Sequence, residues 1–551
     1  MKSDPRLPFS TAPAAHRRWW GWGDRRIQFP LPQHSADDLF AELKIAPRQA
    51  EHAEPPLPSL PESVFNQTAG TDGVSLSTSS APCQILSDDF ERLRCSTGRS
   101  TPDIIRLRTQ RIQHAADGVA LPENEEQVRE LVQWAQKQSV ALVPFGGGTS
   151  VVGGVTPLRG RHRAVLAVDM QRMKQLLSLD PESGLARVQA GIFGPDLEGQ
   201  LQAHGFSLGH FPQSFEYSTL GGWLATRSAG QNSTLYGKIE HLAAAVRMVS
   251  PTAELTCQPL PACASGPELK EVMVGSEGTL GILTEGIMRV HPLPQHTEYR
   301  SYFFPDFASG FAAARQIMHA GLRPSVFRLS DETETRLLMK LGGADRSKAI
   351  KALRMLGKGR YFDGCHFMLG FEGLPKQVSA EISACNAIAK RSDGFGIGGS
   401  PGRRWEGERF ELPYFRDTLL DYGVVVETFE TAAPWAALPA LHRDLQRLPV
   451  PLVLAHISHA YLDGASLYIT WLADAPDPDQ ALELWQQVKD AAGEILMRHG
   501  ATVSHHHAVG TDHRKWLAAE RGGAQVELLR TIKRSLDPNG IMNPGKLLAD
   551  D

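Results

Sequence analysis

Three glycine-rich blocks constrain this chain more than any other feature of its sequence. PFGGGTS occupies residues 144–150, GHFPQSFEYSTLGGWLATRSAGQNSTLYG residues 209–237, and GSEGTLGILTEG residues 275–286. Glycine lacks the side chain that would hold a backbone away from a ligand, so three such blocks imply several segments closing on one large anionic molecule. The apolar run 140–143 ahead of the first block reads as a strand entering a turn whose N–H groups face a pyrophosphate. The block is neither GxGxxG nor GxxxxGK[ST], so neither a Rossmann fingerprint nor a Walker A loop is supported. Ordinary turns would explain any single block, since 51 glycines in 551 residues is only moderately above average. Three in this order favour a shared ligand.

Composition sets the outer bounds. A chain of 551 residues, 42% of them hydrophobic, is long enough for two or three domains with large cores. Lys and Arg number 57 against 61 Asp and Glu, so bulk charge gives no sign of a nucleic-acid partner. Cysteines 83, 95, 257, 263, 365 and 385 are scattered without a C-x-x-C pair, which argues against structural zinc or an iron–sulfur cluster and makes a reducing cytoplasm the expectation. The N-terminus has no apolar core before a cleavage site, and no run of eighteen apolar residues could cross a membrane. Arg17, Arg18, Trp19, Trp20 and Trp22 have two readings: a peripheral membrane contact, or an arm whose aromatics pack on the folded body. The second is the better supported.

Read in order, residues 1–30 form an extended arm and 31–45 the first helix, with Ser35 as its cap. Residues 46–84, rich in Pro, Ser, Glu and Thr, read as a long connection. DDFERL is helix-like with Ser87 as cap, and TPDIIRLRTQR reads as a solvated linker. A helix is expected over 125–138 with Val128, Leu131, Val132 and Ala135 on one face, then strands over 164–170 and 185–192 and a helix over 195–205. Asp169 falls at a strand end, where it can hold a backbone turn. Beyond 289–294, residues 301–331 read as strand, helix, strand and 366–373 as another strand followed by a helix to about Lys390, an alternation that predicts an antiparallel sheet covered by helices. Residues 452–473 read as two strands joined at Asp463–Gly464, and 481–500 as the strongest amphipathic helix.

SHHH, at 504–507, carries chemistry-bearing residues. Three consecutive histidines can be solvated, packed in a core, metal ligands or acid–base groups. In an extended segment His505 and His507 point one way and His506 the other, with His513 the only other close candidate. Imidazole suits proton transfer because its intrinsic pKa is about 6.5.

PFGGGTS, AGIFGPDLEGQLQAHGFSLGHFPQS, STLGGWLATRSAG and GSEGTLGILTE resemble the flavin-binding domain of the vanillyl-alcohol-oxidase and p-cresol-methylhydroxylase (PCMH) superfamily, and within it the alkyldihydroxyacetonephosphate synthases and their bacterial relatives. The resemblance covers roughly 120–547. It implies an α+β chain: an N-terminal arm and linker (1–115), a two-subdomain PCMH-type FAD-binding domain (116–295), an α+β substrate cap (296–500), and a C-terminal segment carrying the histidines back to the flavin domain (501–551). The implied FAD contacts are Pro144, Phe145, Gly146, Gly147, Gly148, Thr149 and Ser150; Gln213, Ser214, Ser218 and Thr219; Thr226, Arg227, Ser228 and Ala229; and Glu277, Gly278, Thr279, Leu280, Gly281, Ile282 and Leu283. No His or Cys stands near the first block to tether the ring, so noncovalent FAD is implied. Gln213 replaces an acidic residue of the synthases.

SHHHAVG resembles the SHHHGVG of the synthases, which implies proton transfer by His505, His506 and His507 with Tyr468, and charge stabilisation by Arg416; ordinary core or ion-pair roles for Tyr468 and Arg416 are the alternatives. Arg328 and His456 are implied to line the substrate pocket. His456 stands where the synthases have arginine, which replaces a permanent cation by a group only partly charged near neutral pH. The implied activity is exchange of the acyl group of an acyl-dihydroxyacetone phosphate for a fatty alcohol through a flavin N5 adduct. The alternative is oxidation of a 2-hydroxy acid such as D-lactate or glycolate, or of a related alcohol, by hydride transfer to the same ring; a flavin-free binding protein is a third, weaker reading. A small-molecule or lipid-like substrate and a homodimer complete the expectations.

Overall fold

The computed structural model describes residues 16–51, 54–65 and 78–548. The first glycine block lies at the end of a parallel unit. Gly118–Leu121, Ala164–Asp169 and Val140–Phe145 are parallel neighbours in a four-stranded sheet, with Gln84–Leu86 antiparallel at its edge. Parallel strands need a crossover, supplied by the helix Glu125–Gln138. The Asn124 side chain caps it by accepting from Gln127 N, Ser139 ends it at φ 54, and Val128, Leu131, Val132 and Ala135 are buried as their spacing predicts.

A second, five-stranded antiparallel sheet orders Leu176–Asp180, Leu185–Gln189, Ile282–Arg289, Ala243–Val249 and Glu254–Thr256. The helices Gly194–Gln202 and Leu220–Thr226 bury Leu197, Leu201, Trp223 and Leu224 in the same cluster as Val188 and Val246. The two sheets share an apolar cluster containing Leu142, Val249 and Ile282. The chain's C-terminal segment returns to it: Leu142 N donates to Ile541 O and Asn543 N to Leu142 O, both at 2.8 Å.

The third sheet has seven antiparallel strands, in the order Phe395–Gly398, His296–Phe304, Cys365–Gly373, Val326–Ser330, Leu452–Ala460, Gly464–Asp474 and Val424–Pro434. Leu329, Ile457, Leu467 and Phe429 lie in one apolar cluster with residues of the helices Phe307–His319, Pro375–Arg391, Leu438–Leu445 and Pro478–Arg498. Their sequence neighbours Ser330, His456, Tyr468 and Glu430 pair directly across four adjacent strands. Because successive strand residues face opposite ways, this polar row occupies the face turned from the helices.

Several local expectations are corrected. The first helix is Gln33–Leu43 with Pro32 at its N-cap; Ser35 lies inside it, buried, with its hydroxyl donating to Leu341 O at 2.9 Å. Asp88, not Ser87, caps Asp89–Arg94. TPDIIRLR is no linker but the helix Thr101–Arg108. Ser100 and Asp103 form a reciprocal capping box, Ile104 and Leu107 are fully buried, and Thr101 Oγ1 donates to Val426 O of the third sheet at 2.8 Å. Arg106 and Arg108, which made the run look solvated, sit in its last turn, where cations favour the helix. The connection 46–84 is irregular in its described part apart from the short helical turn Thr78–Ser80 and Gln84, which opens the edge strand; 52–53 and 66–77, like 1–15 of the arm, lie outside the described residues. Of the arm, Trp19 and Trp22 are buried, Trp22 packs edge-on against Tyr217, and Arg17 lies 4.7 Å above the Phe193 ring. The packed-arm reading holds for these residues.

Candidate active site

The three glycine blocks converge. A Cβ on Gly146 would lie 2.2 Å from Thr219 Oγ1, and one on Gly147 1.6 Å from the Tyr217 carbonyl oxygen, so only glycine lets the first block meet the second. Gly278, at φ +72, is set against the Pro144 ring, where a Cβ would fall 2.8 Å from Cγ. Phe145 is buried beneath the turn, Gly148 turns at φ +70 over its ring, and Thr149 follows in the same turn. Ser150 closes it, its hydroxyl accepting from Gly154 N at 2.9 Å and its carbonyl from Arg99 N at 2.6 Å.

The second and third blocks supply supports as well as a surface. Thr219 caps the helix Leu220–Thr226, Ser218 Oγ accepts from Trp223 Nε1 at 2.7 Å and Ser214 Oγ donates to Ser218 Oγ at 3.1 Å. Thr226 bonds back to Gly222 O, Ser228 Oγ meets His210 Nε2 at 3.2 Å, and Ala229 is buried. Gln213 is held between Arg409 O and Gln231. Two residues implied as cofactor contacts turn their side chains to protein: Arg227 donates to Val274 O and to Glu271, and Glu277 accepts from Val509 N at 2.8 Å and Gly510 N at 2.7 Å. Glu277 therefore clamps the segment just after the histidines onto the cradle. Thr279 bonds to Ser276 O, Gly281 packs under Val249 O, and Leu280, Ile282 and Leu283 are buried.

The histidines are organised by a residue the sequence reading passed over. Glu430, 1% exposed, accepts from the backbone N–H groups of His505, His506 and His507 at 2.5, 2.9 and 2.5 Å, and from the Ser504 hydroxyl at 3.0 Å. The segment is thus a tight turn around one carboxylate, not an extended strand, and the expected alternation does not occur. All three rings gather: His505 and His506 centroids are 5.2 Å apart, His506 and His507 4.6 Å, and Tyr468 stands 6.3 Å from His506 and 6.0 Å from His507. His505 Nδ1 meets His506 Nδ1 at 2.9 Å and its Nε2 meets the Tyr461 hydroxyl at 2.6 Å. His459 stacks on His505 at 5.2 Å with its Nδ1 bonded to Ser233 Oγ at 2.7 Å. Both His505 ring nitrogens are engaged, and the donor atoms of His459, His505 and His506, like those of Glu430, His506 and His507, lie within 4.8 Å of one another, close enough to hold a metal ion. His513 is turned to its own segment, bonding Ala508 O at 2.9 Å.

Arg328 and His456 converge on the buried Glu334, at 3.0 and 2.9 Å, and the His456 ring stacks on Tyr468 at 5.0 Å. Arg416 lies on the helix Leu412–Asp421. Its Nη1 donates to Arg99 O, while Nε and Nη2 are buried without a hydrogen-bond partner. Its carboxylate neighbour Asp417 is 3.8 Å from Nε and is engaged instead by Trp22 N–H of the arm. A buried guanidinium with donors to spare is suited to an anion.

Residues 116–257 match the FAD binding domain model and 293–547 the model for the C-terminal domain of FAD linked oxidases. An alkyldihydroxyacetonephosphate synthase of Dictyostelium discoideum is 36% identical over 483 residues, covering 85% of this chain and 79% of that protein. The chain belongs to the alkyldihydroxyacetonephosphate synthase family. The synthase of Trypanosoma brucei brucei is 32% identical over 96% of this chain and 92% of its own, and a solved synthase structure superposes with TM-score 0.77 at 32% identity, covering 96% of this chain and 99% of that one. The cofactor of this family member is FAD, and the glycine cradle fits it. Gly146, Gly147 and Gly278 carry no Cβ to strike Thr219, the Tyr217 carbonyl and Pro144, so the three blocks close on one another as a ligand cradle requires.

Electrostatics then set the protonation states. Burial, with Lys238 and the neighbouring rings adding to it, holds His505 and His506 well below the ordinary imidazole value, so both are neutral bases near pH 7. Burial pushes the Tyr468 hydroxyl up to about 12, leaving it a neutral donor. Burial alone would raise Glu430 and Glu334. His507 and the backbone N–H groups outweigh it at Glu430, and His456 with the Arg328 guanidinium outweighs it at Glu334, so both carboxyls are held below the usual range. Glu430, Glu334, His459 and Tyr461 were not assigned roles from sequence. Nothing in the linear order shows which carboxylate the SHHH turn wraps.

Proposed function

We propose that this enzyme exchanges the acyl group of an acyl-dihydroxyacetone phosphate for a fatty alcohol, using noncovalently bound FAD. The gathering of His505, His506, His507 and Tyr468 around the buried Glu430 carboxylate carries this reading. When bound, FAD supplies a nucleophilic ring nitrogen, N5, to the exchange. His506, a neutral base, takes the substrate C1 proton and returns it, and Glu430 holds the turn that aims it. Tyr468 donates to the departing carboxylate. Arg416, whose Nη2 makes no hydrogen bond, holds substrate negative charge, and Arg328 with His456 lines the headgroup side. Residues 116–295 serve as the flavin domain, 296–500 as the cap and 501–551 as the segment joining them. The six cysteines are all free, which suits a reducing cytoplasm, and no described helix is long and apolar enough to cross a membrane; a homodimer belongs to the same proposal.

The match of 293–547 to FAD linked oxidases favours a second reading, oxidation of a 2-hydroxy acid, with Arg416 on its carboxylate. Turnover with a dye acceptor separates the two. Ether formation consumes no electrons, so we expect alkyl-dihydroxyacetone phosphate to accumulate from acyl substrate and fatty alcohol without dye reduction. Dye reduction by hydroxy acids with no ether product would overturn the first reading.

A further inference from the structure

The hydrogen bonds of His505 leave it no nitrogen with which to touch substrate. Its Nδ1 faces His506 Nδ1 at 2.9 Å and its Nε2 faces the Tyr461 hydroxyl at 2.6 Å, so it conducts a proton rather than originating or receiving one. Its position is over-determined: Lys238 Nζ donates to its carbonyl at 2.6 Å, its N–H donates to Glu430, and the His459 ring stacks on it with an interplanar angle of 26°. Tyr461 follows the strand Leu452–Ala460 at the hairpin turn. There its N–H donates to Gly464 O at 2.8 Å, Trp435 Nε1 donates to its carbonyl at 3.1 Å, and the next residue, Leu462, is 67% exposed. The side chain thus runs inward from that turn, where its backbone sits, to the buried histidines, where its hydroxyl meets His505.

We propose that Tyr461 is the outer member of a three-group proton relay, His506–His505–Tyr461, that exchanges the substrate-derived proton with water; this rests on the proton-transfer role given above to His506. A proton taken from the substrate carbon enters at His506 Nε2. The proton on His506 Nδ1 passes to His505 Nδ1, the one on His505 Nε2 passes to the Tyr461 oxygen, and the Tyr461 hydroxyl proton leaves to water. One proton crosses, every group ends neutral, and both imidazoles have exchanged tautomers. The reverse sequence restores them. Neutral imidazoles are what this transfer needs, and burial keeps both rings so.

The test uses the full-length FAD-loaded enzyme with acyl-dihydroxyacetone phosphate in deuterium oxide, following deuterium entry at C1 in wild type, Tyr461→Phe and His506→Ala. The relay predicts that Tyr461→Phe slows exchange about 100-fold while keeping its flavin and its KM, and that added imidazole, a small diffusible proton carrier, restores much of the rate. Wild-type exchange in Tyr461→Phe, alongside an inactive His506→Ala, would overturn the relay alone. So would a slow Tyr461→Phe that imidazole leaves slow or that has lost its flavin, since either outcome assigns Tyr461 to packing. Undiminished exchange in His506→Ala would instead overturn the proton-transfer role itself.

Discussion

Glu430 shows how one side chain builds the histidine site. Three successive N–H groups and a hydroxyl converge on its carboxylate, an arrangement that needs an ionised acceptor because each bond to a charged group is stronger than a neutral one. Glu430→Gln keeps the volume but replaces one oxygen by a donor that faces those N–H groups. We expect a loss of about 2 kcal/mol, read as a lower Tm, and a fall in kcat that exceeds any loss of flavin. Tyr468→Phe removes only the hydroxyl and should lower kcat by about 100-fold or more with bound flavin intact; full activity would sink its role. The sequence made the histidines, Tyr468, Arg416, Arg328 and His456 legible as polar residues of chemical use. It did not show their orientation. SHHH reads as a strand because local alternation is all a linear pattern offers, whereas a carboxylate on the strand Val424–Pro434, far away in sequence, bends it into a turn. His459 was hidden for a related reason: the register slips between Ile457 and His459, and this β-bulge turns His459 toward the histidine rings where strict alternation would aim Ser458.

At the scale of elements, the glycine turn and the capped helices carry the most exposed predictions. Gly147→Ala places a methyl group against the Tyr217 carbonyl, so the first and second blocks must separate. We expect about tenfold weaker FAD binding or more, equivalent to at least about 1.4 kcal/mol, measured as the flavin-to-protein absorbance ratio after dialysis; an unchanged ratio would contradict the cradle. Ser100→Ala removes one arm of the capping box on Thr101–Arg108 and should lower stability by about 1 kcal/mol without changing flavin content. Long amphipathic helices and paired strands were legible: 125–138 was located to the residue, and the hairpin around Asp463–Gly464 is where its turn residues put it. Short elements were not. Thr101–Arg108 has too few apolar positions to stand out from its arginines, and its burial comes from contact with the third sheet, which local sequence does not encode.

The whole molecule concentrates buried ionisable groups around the site, and this fixes its response to pH. Burial, the largest of several causes, lowers His210, His459 and His513 to about 3 and His366 to about 4. Below the unfolded value of about 6.5 the unfolded chain therefore binds more protons than the native one, and stability falls as pH drops toward 3. Burial acts oppositely on acids, raising Glu277 to about 7 and Glu216 to about 8, so their contribution is lost as pH rises through those values. Thermal unfolding should show a maximum Tm near neutrality with the steeper loss on the acid side; a Tm that rises steadily from pH 7 to pH 4 would contradict the buried neutral histidines. At this scale the three glycine blocks pointed to one large anionic ligand, and the α+β class and flavin fold were legible through the family resemblance those blocks carry. The way the C-terminal segment returns to pair with the glycine-block strand at Leu142 was implied only by resemblance. Acyl-for-alkoxy exchange at a flavin can be read from anaerobic addition of substrates to the purified holoenzyme while its flavin spectrum is followed. We expect a spectral change with acyl-dihydroxyacetone phosphate that accompanies fatty-acid release and reverses on adding fatty alcohol. Bleaching by D-lactate or glycolate, with no response to the acyl substrate, would contradict it.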